Sequence, residues 1–296
     1  VEKGKFETTI LTLSNGIEVY VKSTNFKKDE VMLNLTSKGG SSLLPDSVIP
    51  SISGSGLGLY LQNAGISKFP LAKLKKILTG KAVSIAPFIK NSTQGIAGSS
   101  SPKDLETAFQ LIYLYYTAPR FDSTEYNVTL KNMKNMLPNM EKQPNFIFSN
   151  AYQKAMFDNN PRIPLFNSEL ITKMNISAVE QGYRKLLSDA GASKLFISGN
   201  VNIDSLKPLL EKYIGSLPVK NKKGMKSIND KTTFTKRPIN NIFSVEMKTP
   251  KTSLFIAHTG AMEMNLENDI LFDSFHSILR MLYTKTIRED EGGTYG

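Results

Sequence analysis

A chain of 296 residues, 40% hydrophobic and 21% charged, has the length of one large or two ordinary domains and the balance of a folded globular protein, which excludes disorder and collagen-like structure. The 37 Lys and Arg against 26 Asp and Glu give a net charge of +11, and Cys is absent, which removes disulfides, thiol nucleophiles and cysteine-held zinc together. No apolar run approaches the roughly 18 residues of a membrane helix, so no membrane span is expected. The opening Val1-Glu-Lys-Gly-Lys-Phe6 lacks the apolar core of a signal peptide, and a start without Met leaves an upstream targeting segment open.

Strand signals come first. Thr8–Leu13 and Ile17–Val21 alternate around Ser14-Asn15-Gly16, and Asn-Gly is the preferred pair of a two-residue hairpin turn. Val31–Thr36, closed by Gly39-Gly40, reads as a third strand, with Ala82–Ile89 and Gln94–Ala97 as a fourth and fifth. These are expected to share one antiparallel sheet. Ser101-Pro102-Lys-Asp104 then has the form of a helix start, with Pro at the first position and an acid in the first turn. Leu105, Ala108, Phe109, Ile112, Tyr113 and Tyr116 recur at helical spacing, so one face is buried. Further helices are predicted from Asp122-Ser123 toward Leu137-Pro138, over 146–157 and over 177–189, then a strand at Leu195–Ser198 and a helix over 203–213.

The densest basic stretch, Lys220, Lys222, Lys223, Lys226, Lys231, Lys236 and Arg237, reads as a polar linker over 219–237. Its lysines serve solubility better than a nucleic-acid arm, so no nucleic acid is expected as a partner. The pattern then begins again, with Ile242–Met247, a turn at Pro250, Thr252–His258 and a helix from about Glu267 to Arg288. The repeated order predicts an α+β fold of two homologous domains, an antiparallel sheet packed with long helices in each: 1–218, and a truncated second copy over 238–296. A domain cut there would expose an unpaired sheet edge and associate through it.

Few residues offer chemistry. Ser53-Gly-Ser-Gly-Leu-Gly58 matches neither a dinucleotide fingerprint nor a phosphate loop, and small residues at a tightly packed helix account for it better. His258 and His276 are the only imidazoles and stand far apart, so no His-based metal motif forms. No Gly-x-Ser-x-Gly elbow supports a serine triad. Gly98-Ser-Ser-Ser101 is explained as a helix cap and Tyr115-Tyr116 as a packing face. Arg288 and Tyr295 differ, because a planar fork of donors and a phenolic hydroxyl flank a Gly292-Gly293 bend. Such a pair suits a carbonyl oxygen gaining charge, although spacing alone also fits an ordinary surface loop.

The segments Leu13–Val21, Leu33–Gly40, Gly98–Leu105, Thr117-Ala-Pro-Arg-Phe-Asp122, Leu195–Val201 and Arg288–Tyr295, in this order, resemble the insulinase/pitrilysin-like zinc metallopeptidases with the inverted His-x-x-Glu-His motif. The resemblance covers essentially the whole chain. It implies two homologous halves, each of two α+β domains, closing around an unfolded peptide, with zinc in the N-terminal half. Pro50–Asn63, where that half would carry its motif, has no His and no Glu, so neither zinc ligands nor a catalytic base carry over, and the chain resembles the C-terminal, zinc-free half of a bacterial member. The resemblance further implies that zinc and a glutamate of the other half activate water, while Arg288 and Tyr295 bind the scissile carbonyl of the substrate. This fragment alone is then expected to be inactive and to hold no catalytic metal. Its expected partners are the zinc-bearing half and a peptide, and its expected address is extracytoplasmic, in periplasm or envelope. An inactive relative serving as a peptide- or partner-binding subunit is the alternative.

Overall fold

The structure is a computed structural model and describes residues 2–53, 55–61, 64–221 and 232–292. Its contacts divide the chain into two compact units, Val1–Pro250 and Lys251–Gly296.

In the first unit seven strands form one sheet: β1 (Glu2–Lys3), β2 (Thr9–Thr12), β3 (Glu18–Ser23), β4 (Val31–Lys38), β5 (Val83–Ile89), β6 (Thr93–Ser100) and β7 (Lys194–Gly199). Their order across the sheet is β1-β2-β3-β7-β4-β6-β5. The five strands read before the helices in the sequence are all present. The sheet is not purely antiparallel, because β7 lies parallel to β3, pairing Glu18 with Lys194 and Tyr20 with Phe196, and antiparallel to β4. A parallel neighbour needs a crossover connection, and the helical block between β6 and β7 supplies it. The opening hairpin also departs from expectation. Leu13 N donates to Ile17 O at 3.0 Å and Gly16 N to Leu13 O at 2.9 Å, so the loop has three residues and ends on Gly16 at φ 91, the bulged hairpin form. The Asn15 side chain accepts from Ile17 N within the turn at 3.2 Å and donates outward to Ile214 O at 2.8 Å.

Side chains alternate across the pleat, so the sheet has two different faces. One face, with Leu11, Val19, Val21, Val31, Leu33, Leu35, Ile85, Ile96, Leu195 and Ile197, is buried against helices that include α2 (Ser55–Leu61), α4 (Leu105–Thr117) and α8 (Ile176–Leu187). Helix α4 turns Ala108, Phe109, Leu111, Ile112 and Tyr116 inward, as its 3.6-residue spacing predicts. Its start is tied to the sheet by Asp104, whose carboxylate accepts from Ala82 N at 2.9 Å and from the Ser101 hydroxyl at 2.7 Å.

The remaining helices are α1 (Ile49–Ile52), α3 (Leu71–Ile77), α5 (Ser123–Met140), α6 (Pro144–Phe157), α7 (Ser168–Lys173) and α9 (Ile203–Leu209). Asp122 caps α5 by accepting from Thr124 N and Glu125 N, as the sequence suggests. Helix α5 continues to Met140, past Pro138. Arg162, whose side chain is 4% exposed, pairs with Asp46. It also donates to the carbonyls of Ser41 at 2.5 Å and Leu44 at 3.3 Å, pinning the turns that lead into α1. Beyond the basic stretch, the chain runs along α6. Thr235 donates to Met156 O and Ala155 O, Phe234 stacks on Phe157 at 5.0 Å, and Arg237 meets Asp158 at 3.0 Å.

The expected strands at 242–247 and 252–258 do not form among the described residues. Alternation makes a strand only when a neighbouring edge pairs its backbone, and neither segment pairs with a strand among the described residues. That unit consists of α10 (Leu266–Tyr283), capped by the Asn265 side chain on Asn268 N, and a π-helical continuation at Thr284–Asp290. The expectation of an open sheet edge there therefore has no strand behind it; large apolar side chains of α10, among them Phe272, Phe275 and Met281, are exposed instead.

Candidate functional site

Of the segment Pro50–Asn63, corresponding to the inverted zinc motif in the resemblance, residues 50–53 and 55–61 are described and form most of α1 and α2; 54, 62 and 63 lie outside the described residues. Its chemistry is packing. An added Cβ on Gly56 would stand 2.5 Å from Ser51 O, and one on Gly182 of α8 would stand 2.8 Å from the Ile52 side chain. Glycine here permits close approach of the backbone rather than an anion cradle. The buried Ser51 hydroxyl accepts from Asn175 N at 3.0 Å, at the start of α8. Tyr60 donates its hydroxyl to Arg120 O, stacks on Phe121 at 5.2 Å and meets Tyr183 edge-on at 6.3 Å. Burial pushes the phenols of Tyr60 and Tyr183 well above their ordinary range, and that of Tyr116 up to about 12, so all three stay neutral. A zinc ion needs several deprotonated N, O or S ligands. Neutral hydroxyls already engaged in packing do not fit one, and among the described residues no group of three or more His, Cys, Asp or Glu could hold a metal.

Arg288 lies on the π-helical continuation of α10, whose wider turn is shown by Glu291 N donating to Thr286 O at 3.1 Å. A bend follows at Gly292, which takes φ 61, a conformation natural to glycine and strained in most other residues. Tyr295 lies outside the described residues, so its distance from Arg288 is not defined. His276 sits on α10, and His258 in an irregular stretch where a strand is expected from sequence.

A feature not singled out in the sequence is the second face of the sheet, opposite the helices. Its rows follow from the strand registers: Glu18, Lys194 and Thr36; then Tyr20, Phe196, Asn34 and Ala97; then Lys22, Ser198, Met32 and Ser99. Phe196 is 42% and Met32 48% exposed. Tyr20 stacks on Phe196 at 5.1 Å. Lys194 bridges to Glu18 at 2.8 Å, and the hydrogen bond between them holds the glutamate below and the lysine above their ordinary pKa values. An open face mixing aromatic rings, amide and charge suits extended polypeptide, which presents both apolar and polar groups. The period-2 pattern was the available signal, since each inward Val, Leu or Ile implies an outward neighbour.

Fold and site together define an α+β domain whose α1–α2 segment is occupied by glycine, serine and tyrosine packing. Residues 173–296 match the family model described as the peptidase M16 inactive domain. The chain is 28% identical over 213 residues to an Arabidopsis thaliana protein named zinc protease PQQL-like, covering 71% of this chain and 19% of that protein. It is 19% identical over 283 residues to the probable zinc protease PqqL of Haemophilus influenzae, covering 96% of this chain and 30% of that one. Among solved structures, it superposes with TM-score 0.68 on the periplasmic protease PqqL from Escherichia coli, at 18% identity, covering 98% of this chain and 32% of that one. The chain thus spans between about a fifth and a third of the length of these proteins. The chain is thus similar to proteins named zinc proteases, and its residues 173–296 match a peptidase domain described as inactive.

Proposed function

We propose that this chain is part of the zinc-free half of a zinc peptidase and that it encloses and positions a peptide for hydrolysis by a zinc-bearing N-terminal half. The observation carrying this reading is the α1–α2 segment, where a fold of peptidase type holds glycine, serine and tyrosine packing in place of metal ligands. The open sheet face supplies a surface for extended chain. Residues 238–296 are then the opening of a second α+β domain, and that domain brings Arg288 and Tyr295 to the substrate carbonyl. There the guanidinium and the phenolic hydroxyl donate to the oxygen as its negative charge develops, which is stabilisation by preplaced donors. The names of the relatives support zinc in the full-length protein, and the description of the Escherichia coli neighbour as periplasmic supports an extracytoplasmic address.

The test is made in the full-length protein. Arg288→Ala and Tyr295→Phe should each lower kcat for a quenched-fluorescent peptide by about 10²- to 10³-fold, the usual effect of deleting one donor to a developing oxyanion, with zinc content unchanged. Wild-type turnover in both variants would remove the pair from the mechanism. Peptide binding with no hydrolysis in the wild type would instead favour a subunit that only binds.

A further inference from the structure

We infer that the end of the open sheet face carrying Lys38 binds a carboxylate of the enclosed peptide. The inference rests on the enclosing role above and adds a substrate preference to it. A cavity of about 420 Å³ opens there, lined by Lys38, Lys185, Lys194, Asp189, Thr36 and Phe196 among others.

The charges in this cavity are unequally engaged. Asp189 is its one acidic lining residue, and both carboxylate oxygens are occupied: Oδ1 accepts from Gly191 N at 2.9 Å and Lys220 N at 2.9 Å, and Oδ2 from Asn221 N at 3.1 Å. It is a loop staple. Lys194 is committed to Glu18 at 2.8 Å and to the Tyr20 hydroxyl at 3.1 Å. Lys185 gives one of its three donors to Leu43 O at 2.7 Å and keeps two. Lys38 is exposed, and its ammonium has no hydrogen-bond or ion-pair partner among the described residues. Two ammonium groups with donors to spare therefore face a cavity whose only carboxylate is spent.

The surroundings select a peptide carboxylate over a bare ion. The floor includes Phe196, stacked on Tyr20, and the Thr36 side chain one register step along β4. An apolar wall beside two cations fits a chain end or an acidic residue with hydrocarbon attached, since both parts then find complementary surface. Lys38 and Thr36 point the same way from β4, so a peptide lying on the rows through Phe196 and Thr36 meets Lys38 at their end.

Fluorescence anisotropy with the full-length protein tests this directly. Three short fluorescein-labelled Ser/Leu/Ala peptides are compared at low salt: one amidated at its C-terminus, the same peptide with a free C-terminal carboxylate, and the amidated peptide with one internal Glu. At least one carboxylate-bearing peptide should bind about fivefold tighter than the neutral one, the scale of a partly exposed ion pair, and which one does so distinguishes a chain end from a side chain. Raising the salt should erase the difference. Lys38→Ala should remove the preference while leaving neutral-peptide affinity intact, and Lys38→Glu should reverse it; Lys38 is exposed, so neither change threatens the fold. Equal binding of all three peptides, or a preference surviving in both variants, overturns the inference and leaves the enclosing role standing. Failure of every peptide to bind overturns both.

Discussion

Asp104 shows how one side chain joins sheet and helix. Its carboxylate takes hydrogen bonds from Ser101 and Ala82, which hold its pKa below the ordinary value. A group whose pKa is depressed by folding stabilises the native state above its unfolded pKa, about 3.9 for Asp, and that contribution is lost as pH falls through the lower folded value. Asp104→Asn should therefore flatten the acid limb of the stability curve below about pH 4, measured by urea melts at stepped pH, while leaving its shape above pH 6 unaltered. An acid limb identical to wild type would deny Asp104 this role. Arg162 acts in the opposite setting, buried and holding carbonyls of the turns before α1. Arg162→Met fills the volume but leaves Leu44 O without its donor, while Ser41 O keeps the bond from Leu44 N at 2.9 Å; the unpaired buried acceptor should cost about 1–3 kcal/mol. The helix start was legible in the Ser-Pro-Lys-Asp pattern, but Ser101, expected as its cap, makes no side-chain cap bond and donates to Asp104 instead; Arg162 was not legible, because its partners lie more than 100 positions earlier in sequence.

At the scale of elements, legibility followed the length and regularity of the pattern. Strands β2 to β6 were placed from strand-type runs and their turns, helix α4 from repeated apolar spacing, and helices α5, α6 and α8 from their start and stop signals. Helices α1, α2, α3 and α7 have four to seven residues, too few turns for a period to show, and α2 is built on Ser-Gly-Leu-Gly, whose residues favour helix weakly. Of the glycines read as packing residues, Gly56 is crowded against Ser51 O, Gly58 has nothing within 4 Å and Gly54 lies outside the described residues; the crowded Gly182 was not legible, because it meets Ile52 only once α8 lies across α1. Gly182→Ala should destabilise by about 1–3 kcal/mol through overpacking, read from chemical denaturation, whereas Gly80→Ala is not a matched control because Gly80 has φ 80. Gly58→Ala is, since nothing lies within 4 Å of the added Cβ and the residue is helical. Equal destabilisation at 58 and 182 would show that the close approach is not the cause. The candidate site divides in the same way. Arg288 and Tyr295 acquire meaning from the family resemblance rather than from their spacing, and the Lys38 cavity is assembled by pairings between strands and a helix end remote in sequence.

For the whole molecule, the absence of a fitting ligand set around α1 and α2 leads to a direct expectation. Purified chain 1–296 dialysed against micromolar zinc should retain well under one equivalent by elemental analysis and should not hydrolyse peptides; one tightly held equivalent would require ligands other than those described. The net charge of +11 belongs to this scale too, where it governs solubility and encounter with acidic partners rather than the fold.

The place of β7 has a consequence for how the molecule comes into being. Among the described residues it is the last strand in sequence, yet it lies between β3 and β4 and joins the two parts of the sheet. Until Lys194–Gly199 has been made, β1-β2-β3 and β4-β6-β5 have no strand to link them, and each leaves an edge open. Assembly on the ribosome must therefore wait for most of the first unit, and contacts spanning 176 positions, such as Glu18 with Lys194, belong to the class that closes slowly. In pulsed hydrogen exchange, amides of the local β2–β3 and β5–β6 hairpins should gain protection before those of β7 and the β3 amides that face it.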